Sequence, residues 1–312
     1  MEKIYDVAIL GGGPAGLSAG LYAGRAGLSA VIVEKGQAGG QIMLTDSLEN
    51  YPGGLLEGET GPALIARMRA QAEAFGARFA SDAIKSVELK EKVKVLKSRR
   101  NEYRAKTVIV ATGASPRPIG CENEQNYIGA GVSYCATCDA PFFKGKRVFV
   151  VGGGDAAVEE ALYLTRFASH VTLIHRRDEL RAAKSIQDKA FAETKLSFLW
   201  DSVVVSIGGE GILSKIHVKN VKNGEVTRIQ AEPGEGALGL FGFIGSDPNT
   251  ALFEGQMEME RGYLVADGET RTSLPGVFAA GDVRVKSVRQ VVTAAADGAM
   301  AAVLAGRYLE EA

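Results

Sequence analysis

The sequence predicts an α/β protein made of two three-layer domains, with the second domain inserted into the first. Two observations lead to this prediction. A strand–turn–helix–strand unit occurs twice, and two segments rich in turn-forming residues lie where the chain would pass between the domains. The chain has 312 residues, which is roughly the length of two domains and unusually long for one.

The first unit lies near the start of the chain. Residues 7–10 form a continuous apolar run, typical of a strand buried on both faces, and an Ala- and Leu-rich helical pattern follows. A second apolar run, residues 30–33, ends at Glu34 and completes a βαβ unit of about thirty residues. The turn between the first strand and the helix includes Gly11, Gly13, Pro14, Ala15 and Gly16.

This turn and the closing acid together indicate a Rossmann-like site for a dinucleotide, either FAD or NAD. Glycines let the backbone approach a pyrophosphate, and the helix that begins near Pro14 supplies N–H groups and a positive dipole. Glu34 stands where a ribose hydroxyl is bound. The alternative is a tight turn without a ligand, and the acid at the expected distance argues against it.

The second unit repeats this pattern. Residues 147–151 read as a strand, residues 158–167 as a helix and residues 171–174 as the next strand. The turn between the first strand and the helix includes Gly152, Gly154, Asp155 and Ala156. Gly11 and Glu34 are 23 positions apart, and so are Gly152 and His175.

The residue that replaces the acid predicts the nucleotide of the second unit. His175 is followed by Arg176 and Arg177, and Arg181 lies one helical turn further on. A carboxylate accepts a hydrogen bond from a free ribose hydroxyl, whereas cationic groups suit a 2′-phosphate. A solvated basic patch is the alternative, but the matched register favours a site that prefers NADP over NAD.

Two breaker-rich stretches mark the domain boundaries. One contains Pro116 and Pro118, and the other is residues 245–249, after which a last buried strand is predicted at residues 276–280. We therefore predict a first domain of residues 1–116 and 248–312 and an inserted domain of residues 117–247. Two linkers between the same domains can act as one hinge.

A pair of cysteines precedes the second unit. Cys135 and Cys138 form a Cys-x-x-Cys motif, and a redox-capable dithiol beside a dinucleotide site suggests electron transfer to disulfides. Structural zinc is one alternative, but it needs about four ligands and Cys121 is the sole further cysteine. Inert core thiols are the other alternative, and we assign no role to Cys121.

Asp139 directly follows Cys138 and has two possible roles. Aspartate commonly caps a helix or turn. Thiol–disulfide exchange consumes one thiolate and releases another, so a neighbouring acid–base group would also speed turnover near neutral pH. We favour the acid–base role.

Composition excludes several classes of function. Lys and Arg total 36 against 37 Asp and Glu, so the net charge of −1 gives no long-range attraction to nucleic acid or to an anionic membrane. The odd count of three cysteines favours a reducing compartment, which we take to be the cytoplasm. No export signal is evident at the start, and no window approaches the ~18 apolar residues of a membrane span.

Several motifs occur in the order typical of one family, and the chain resembles the low-molecular-weight thioredoxin reductases from end to end. The most specific motif is the dithiol inside the pyridine-nucleotide domain. The segments that carry the resemblance are residues 11–16, 38–41, 50–53, 135–139, 175–177 and 281–282. The resemblance implies a homodimer with one FAD and one NADPH per subunit, with electrons passing from NADPH to FAD, to the Cys135–Cys138 disulfide and to oxidised thioredoxin. It also implies that the inserted domain rotates between two states.

The resemblance also implies roles for individual residues. Cys138 would be the flavin-side sulfur, Cys135 would attack the partner's disulfide, and Asp139 would be the acid–base group. The residues that would hold FAD are Gly11, Gly13, Pro14, Ala15, Gly16, Glu34, Gly40, Gln41, Asn50, Asp282, Arg289 and Gln290. Those that would hold NADPH are Gly152, Gly154, Asp155, Ala156, His175, Arg176, Arg177 and Arg181.

The chain departs from the family pattern near the dithiol. Ala130 stands where relatives often have a basic residue, and Ala140 and Pro141 replace Gly-Phe. The partner could therefore be an atypical thioredoxin or a glutaredoxin-like protein. Two other functions remain as alternatives: a reductase for a peroxiredoxin system, and a regulator that senses NADPH without turnover.

Overall fold

The computed structural model describes residues 3–44, 48, 50–55 and 57–311. The chain forms two compact units. The first unit runs to Ser115 and resumes at Asp247, and the second unit is Pro116–Ser246. Among the described residues, no helix combines the length and apolar character needed to cross a membrane.

The described residues form six α-helices: α1 (Pro14–Arg25), α2 (Gly61–Ala74), α3 (Ala136–Asp139), α4 (Asp155–Leu164), α5 (Lys184–Ala192) and α6 (Val291–Glu311). Short 3-10 helices lie at Gly40–Leu44, Glu124–Tyr127, Ala140–Phe143, Ala251–Phe253 and Gly281–Val283.

The β-strands of the described residues are β1 (Ile4–Leu10), β2 (Ala30–Glu34), β3 (Arg78–Ser81), β4 (Ser86–Glu88), β5 (Lys94–Lys97), β6 (Glu102–Val110), β7 (Ala114–Pro116), β8 (Val132–Ser133), β9 (Arg147–Val151), β10 (His170–Ile174), β11 (Leu196–Leu199), β12 (Ser202–Gly208), β13 (Lys215–Asn220), β14 (Val226–Gln230), β15 (Gly239–Gly242), β16 (Ser246–Pro248), β17 (Met259–Glu260), β18 (Tyr263–Leu264) and β19 (Val277–Ala279).

The first unit is built on a mixed sheet with strand order β3-β2-β1-β6-β5-β4, and β19 also pairs with β6. β3, β2, β1, β6 and β19 are parallel, while β4 and β5 are antiparallel additions. Val7 and Ile9 of β1 pack in one core with α1, α2 and α6. Ala8 and Leu10 pack in a second core on the opposite face. Both faces of β1 are therefore buried, as its continuous apolar run predicts.

The second unit is built on a parallel sheet with strand order β11-β10-β9-β15-β8. Val148 and Val150 of β9 face a core shared with α4 and α5. Phe149 lies on the other face, in a core shared with the antiparallel sheet β12-β13-β14. This arrangement makes three layers: helices, parallel sheet and antiparallel sheet.

The helix predicted at residues 158–167 is misplaced at both ends. α4 begins at Asp155, immediately after Gly154, and ends at Leu164. α1 likewise begins at Pro14, immediately after Gly13. In both units the helix begins inside the glycine turn, because the turn ends in extended backbone and the next residue already has helical geometry.

α1 and α6 come unusually close because Gly298 has no side chain. A Cβ atom at Gly298 would lie 2.0 Å from the carbonyl oxygen of Ala15 and 3.0 Å from the amide nitrogen of Ala19. Gly306, two turns further along α6, has only a methyl group of Leu28 near its Cβ position, at 3.7 Å. Substitution by alanine at these two glycines should therefore have opposite effects on the stability of the folded protein.

We expect Gly298→Ala to destabilise the protein by about 1–3 kcal/mol, because the added methyl group forces α6 away from α1. Gly306→Ala, the matched control, should stabilise it by about 0.5–1 kcal/mol through helix propensity. Urea denaturation followed by circular dichroism measures both changes. Equal effects of the two substitutions would contradict the close helix contact.

Candidate redox and nucleotide-binding sites

The dithiol lies at the junction between the edge strand β8 and the short helix α3. Tyr134 follows β8, and Cys135 is the residue immediately before α3. Cys138 lies in the helix, and the two cysteines form a disulfide with a Cα–Cα distance of 5.3 Å. Both cysteines are half-buried. The motif thus has the geometry of a disulfide formed within a single helical turn.

Asp139 ends α3 and is tied to the segment that carries Cys135. Its Oδ2 accepts a hydrogen bond of 2.5 Å from Ser133 Oγ. Ser133 Oγ in turn accepts a hydrogen bond of 3.1 Å from the Cys135 amide. On the other side of the motif, Thr137 Oγ1 lies 3.5 Å from Cys135 Sγ. Sequence reasoning missed Ser133, although its spacing of two residues before Cys135 suits a serine–amide turn.

Cys121 lies apart from this chemistry. It is a free, buried cysteine in the core between β9 and the antiparallel sheet. Burial, together with the charge of Glu124, raises the pKa of the Cys121 thiol to about 11. A thiol with such a pKa is a poor nucleophile near neutral pH. Cys121 therefore offers an internal control for the reactive pair.

The second glycine turn leaves open space at the start of α4. Among the described residues, apart from the neighbouring backbone, nothing lies within 4 Å of the Cβ position of Gly154, and Gly154, at the N-cap of α4, has no side chain with which to cap the helix. Asp155 Oδ1 accepts a hydrogen bond of 2.7 Å from the Ala183 amide, which ties the start of α4 to the loop before α5. An uncapped helix start with open space in front of it is suited to a phosphate group.

His175 differs from the role expected for it as a cation. The side chain is buried, and ring atoms lie within 2.3 Å of the Cβ position of Gly153, so the ring fills the space of a missing side chain. Burial, followed by the charges of Arg181 and Arg177, lowers the pKa of His175. The ring is therefore neutral near neutral pH, and its buried Nε2 has no hydrogen-bond partner in the part of the chain that the structure describes.

The three arginines predicted with His175 are exposed and carry the charge of this site. Arg176 and Arg177 follow β10 at the carboxyl end of the sheet. The Arg181 amide donates a 2.7 Å hydrogen bond to the carbonyl oxygen of Gly153, so the glycine turn and the arginine segment are joined through the backbone. The structure thus places the arginine segment next to the second glycine turn.

The first glycine turn is hydrogen-bonded directly to Glu34, the acidic residue at the end of β2. Glu34 Oε2 accepts a hydrogen bond of 2.7 Å from the Gly12 amide, and Oε1 accepts a longer one of 3.3 Å from Gly36. Gly16 lies so close to the turn that a Cβ there would lie 1.8 Å from the carbonyl oxygen of Gly11. Gly16 therefore serves the close contact between strand and helix, which is the general role of the third glycine in such motifs.

The other residues expected around FAD come from distant parts of the chain within the same unit. The side-chain amide of Gln41 donates to the carbonyl oxygen of Ala114. Asn50 Nδ2 donates to Gln290 Oε1 at 3.2 Å, which joins residues 240 positions apart. Gly40 follows Gly39, whose carbonyl oxygen lies 3.7 Å from the Cβ position of Gly13. Arg289 lies over the ring of Tyr263 at 4.4 Å.

Asp297 of α6 holds the segment around Asp282. Its Oδ2 accepts hydrogen bonds of 2.9 Å from the Gly281 amide and from Lys286 Nζ, and it lies 3.3 Å from Arg284 Nε. Sequence reasoning missed Asp297. The sequence does contain a signal for it, because Asp297 is the single charged residue within the largely apolar helical pattern of residues 291–302.

Buried polar atoms without partners provide the test of whether a cofactor fits. Within the described part of the first unit, Asp282 Oδ1 and Arg289 Nε are buried and have no hydrogen-bond partner. α1 has no side-chain cap on its first turn. Since buried polar groups are nearly always hydrogen-bonded, these groups suit a ligand that offers hydroxyl groups and phosphates, as FAD does. The open turn at Gly154, His175 Nε2 and the arginines fit NADPH in the same way.

Comparisons with known proteins identify the family. Residues 5–298 match the family model of the pyridine nucleotide-disulphide oxidoreductases. The chain is 55% identical to a thioredoxin reductase of Peptoclostridium litorale, over 100% of this chain and 99% of that protein. It is 46% identical to the thioredoxin reductase of Bacillus subtilis strain 168, over 99% and 96% of the two chains. The crystal structure of thioredoxin reductase from Streptococcus pyogenes is 44% identical, covers 100% of both chains and superposes with a TM-score of 0.93.

The chain belongs to the thioredoxin reductase family. The α/β fold class predicted from the two βαβ units is confirmed, and so is the enzyme class of an NADPH-dependent flavoprotein disulfide oxidoreductase. The family uses FAD and NADPH, which are the two cofactors expected from the sequence.

We expect Asp282→Asn to stabilise the FAD-free protein near neutral pH. Burial raises the pKa of Asp282 above its ordinary value of 3.8, so the folded protein holds this proton more tightly than the unfolded chain does. The wild type therefore loses stability as pH rises through the raised pKa, and the neutral amide avoids that loss.

Chemical denaturation of the FAD-free proteins at pH 4 and pH 7 would measure the effect. The gain from Asp282→Asn should be small at the lower pH and larger at the higher pH. Asp188→Asn is the control, because that carboxylate is 63% exposed. A gain that is the same at both pH values would show that ionisation of Asp282 is not the cause.

Proposed function

We propose that the protein acts as a cytoplasmic homodimer that reduces the disulfide of a thioredoxin at the expense of NADPH. The observation that carries this proposal is the Cys135–Cys138 disulfide, with Asp139 beside it, in the unit that also holds the second glycine turn. The overall reaction converts NADPH, a proton and the oxidised partner into NADP+ and a partner dithiol, so that two electrons are transferred.

FAD, when bound, accepts a hydride from NADPH and passes the electron pair to the Cys135–Cys138 disulfide. The chain's own residues would carry the exchange with the partner, with Cys135 as the attacking sulfur and Cys138 as the flavin-side sulfur. The reactive state has Cys135 as thiolate, its proton on Asp139, and Cys138 as thiol. These roles follow from the matching positions in the family.

The exchange takes place in two steps, and protons and electrons balance across them. Cys135 attacks one sulfur of the partner's disulfide, so a mixed disulfide forms, and the displaced sulfur takes the proton from Asp139. Cys138 then gives its proton to Asp139 and attacks Cys135, which restores the Cys135–Cys138 bond. The second partner sulfur leaves and takes that proton. Asp139 ends ionised, and the partner ends as a dithiol.

The binding roles are proposed from the groups that each unit presents. For FAD these are the first glycine turn, Glu34, Gly40, Gln41, Asn50, Asp282, Arg289 and Gln290, all of which lie in the first unit. For NADPH they are the second glycine turn with Asp155 and Ala156, and the arginines Arg176, Arg177 and Arg181. His175 contributes a neutral ring that packs against Gly153 rather than a charge.

The sequence next to the dithiol departs from the family pattern, and this departure bears on which thioredoxin-like protein is the partner. Ala130, Ala140 and Pro141 replace residues that are common in relatives, and Phe142 is 43% exposed. A panel of thioredoxins and glutaredoxin-like proteins, compared by kcat/KM, would identify the partner. Failure to reduce any thioredoxin-like protein would overturn the proposal. Light scattering tests the homodimer, which should have twice the mass of one chain.

We expect anaerobic titration with NADPH to deliver about four electrons per flavin, since the flavin and the disulfide take two each. Cys138→Ser should accept about two and lose partner reduction while its flavin is still bleached by NADPH. Cys121→Ala is the matched control and should still accept about four, because its thiol is buried and protonated. About two electrons in the wild type would instead indicate a simple flavin oxidoreductase or an NADPH sensor.

We expect Arg177→Ala to raise KM for NADPH about tenfold or more, the effect of losing one charged hydrogen bond of about 1.5–3 kcal/mol. KM for NADH should change little, because NADH lacks the 2′-phosphate. Arg166→Ala removes an exposed arginine that lies over the Tyr163 ring in the same unit, and it should leave both values unchanged. Steady-state kinetics with both nucleotides decides between a specific contact and a general loss of positive charge.

A further inference from the structure

Ser133 lies next to the dithiol, but the exchange proposed above gives it no role. It ends the edge strand β8, two residues before Cys135, and its partner in the parallel sheet is Phe241 of β15. The residue is only 5% exposed. Its backbone is therefore held by the sheet, and its side chain is screened from solvent.

The hydroxyl group of Ser133 meets three atoms of the redox motif. It donates to Asp139 Oδ2 at 2.5 Å, accepts from the Cys135 amide at 3.1 Å, and lies 3.3 Å from the Cys135 carbonyl oxygen. A hydroxyl has one donor and two acceptor sites. Ser133 can therefore bridge Asp139 and the Cys135 backbone in a single arrangement, with the carbonyl oxygen as a second acceptor for its hydrogen.

We propose that Ser133 is a positioning residue that keeps Asp139 in place while that carboxyl group gains and loses its proton. The inference rests on the proposed function, because it needs Asp139 to carry protons for the dithiol. Ser133 touches the acid and the backbone of Cys135, and it is not itself a proton donor to sulfur.

The geometry satisfies both protonation states of Asp139. When Asp139 is ionised, the Ser133 hydroxyl donates to Oδ2, and a hydrogen bond to a charged acceptor is a strong one. When the proton is on Asp139 Oδ1, Oδ2 remains an acceptor for the Ser133 hydroxyl, which keeps the Cys135 carbonyl oxygen as a second acceptor nearby. The Ser133 hydroxyl therefore keeps its hydrogen bond to Asp139 as the proton moves, and Asp139 need not rotate between steps.

A double-mutant cycle tests whether Ser133 acts through Asp139. The holoenzymes to compare are the wild type, Ser133→Ala, Asp139→Asn and the double variant, with thioredoxin as substrate. We expect Ser133→Ala to lower kcat about tenfold with KM for thioredoxin unchanged, as for the loss of one hydrogen bond to a charged group. In the Asp139→Asn background, Ser133→Ala should cause no further loss.

Conservative variants separate positioning from a structural effect. Ser133→Thr keeps the hydroxyl and should retain most of kcat, whereas Ser133→Val, which has the shape of threonine without the hydroxyl group, should not. The matched control is Ser206→Ala, which removes a side-chain hydrogen bond to His217 elsewhere in the same unit and should leave kcat unchanged. The Thr and Val pair gives the answer even if the alanine variant fails to fold.

The outcomes distinguish this inference from the proposed function. If Asp139→Asn leaves kcat unchanged, the acid–base role of Asp139 is wrong and the inference falls with it. If Asp139→Asn slows turnover while Ser133→Ala does not, only the role of Ser133 is overturned. Additive losses in the double variant, or equal kcat for Ser133→Thr and Ser133→Val, would likewise overturn it.

Discussion

The close approach of a helix to the end of a parallel strand is the constraint on which both units depend. Such a close approach is possible only where the residue at the contact is a glycine, which has no side chain. A Cβ at Gly16 would lie 1.8 Å from the Gly11 carbonyl oxygen, and a Cβ at Gly152 would lie 2.5 Å from the Ala157 methyl group. Because each helix begins inside its turn, its unpaired amides lie at the carboxyl edge of the sheet, where phosphate groups can be bound.

The dithiol depends on a different edge of the second sheet. β8 is a two-residue strand, yet its pairing with β15 fixes the backbone just before Cys135. From that point the motif is organised by local contacts: the disulfide spans one turn, and Ser133 joins Asp139 to the Cys135 amide. The reactive groups are thus held by a rigid sheet and a few hydrogen bonds rather than by a long loop.

Buried charged groups are concentrated in the segment around Asp282. Asp297 brings together the Gly281 amide and the cations Lys286 and Arg284 inside a nearly dry environment. Asp282 lies near them with a buried oxygen that has no hydrogen-bond partner among the described residues, and burial raises the pKa of its carboxyl group. A buried carboxyl oxygen without a partner lowers the stability of the folded protein when no ligand is bound. Such a local loss of stability is typical of a binding site, and it is consistent with a cofactor site here.

The sequence by itself determined the two βαβ units, the dithiol and the register that sets His175 against Glu34. These features depend on residues close together in the chain, and periodicity and spacing report them directly. It failed at both ends of α4, because helical geometry begins at Asp155, before the apolar pattern does, and ends at Leu164, although the pattern continues to Phe167.

Only the tertiary structure decided which side chains are ionised and which residues from different elements come into contact. It made His175 a neutral ring over Gly153 and brought Asp297 to Gly281. It also bridged Asp139 and Cys135 through Ser133. Ionisation depends on burial and on neighbours that come from other elements, and neither quantity is encoded in the local pattern of residues.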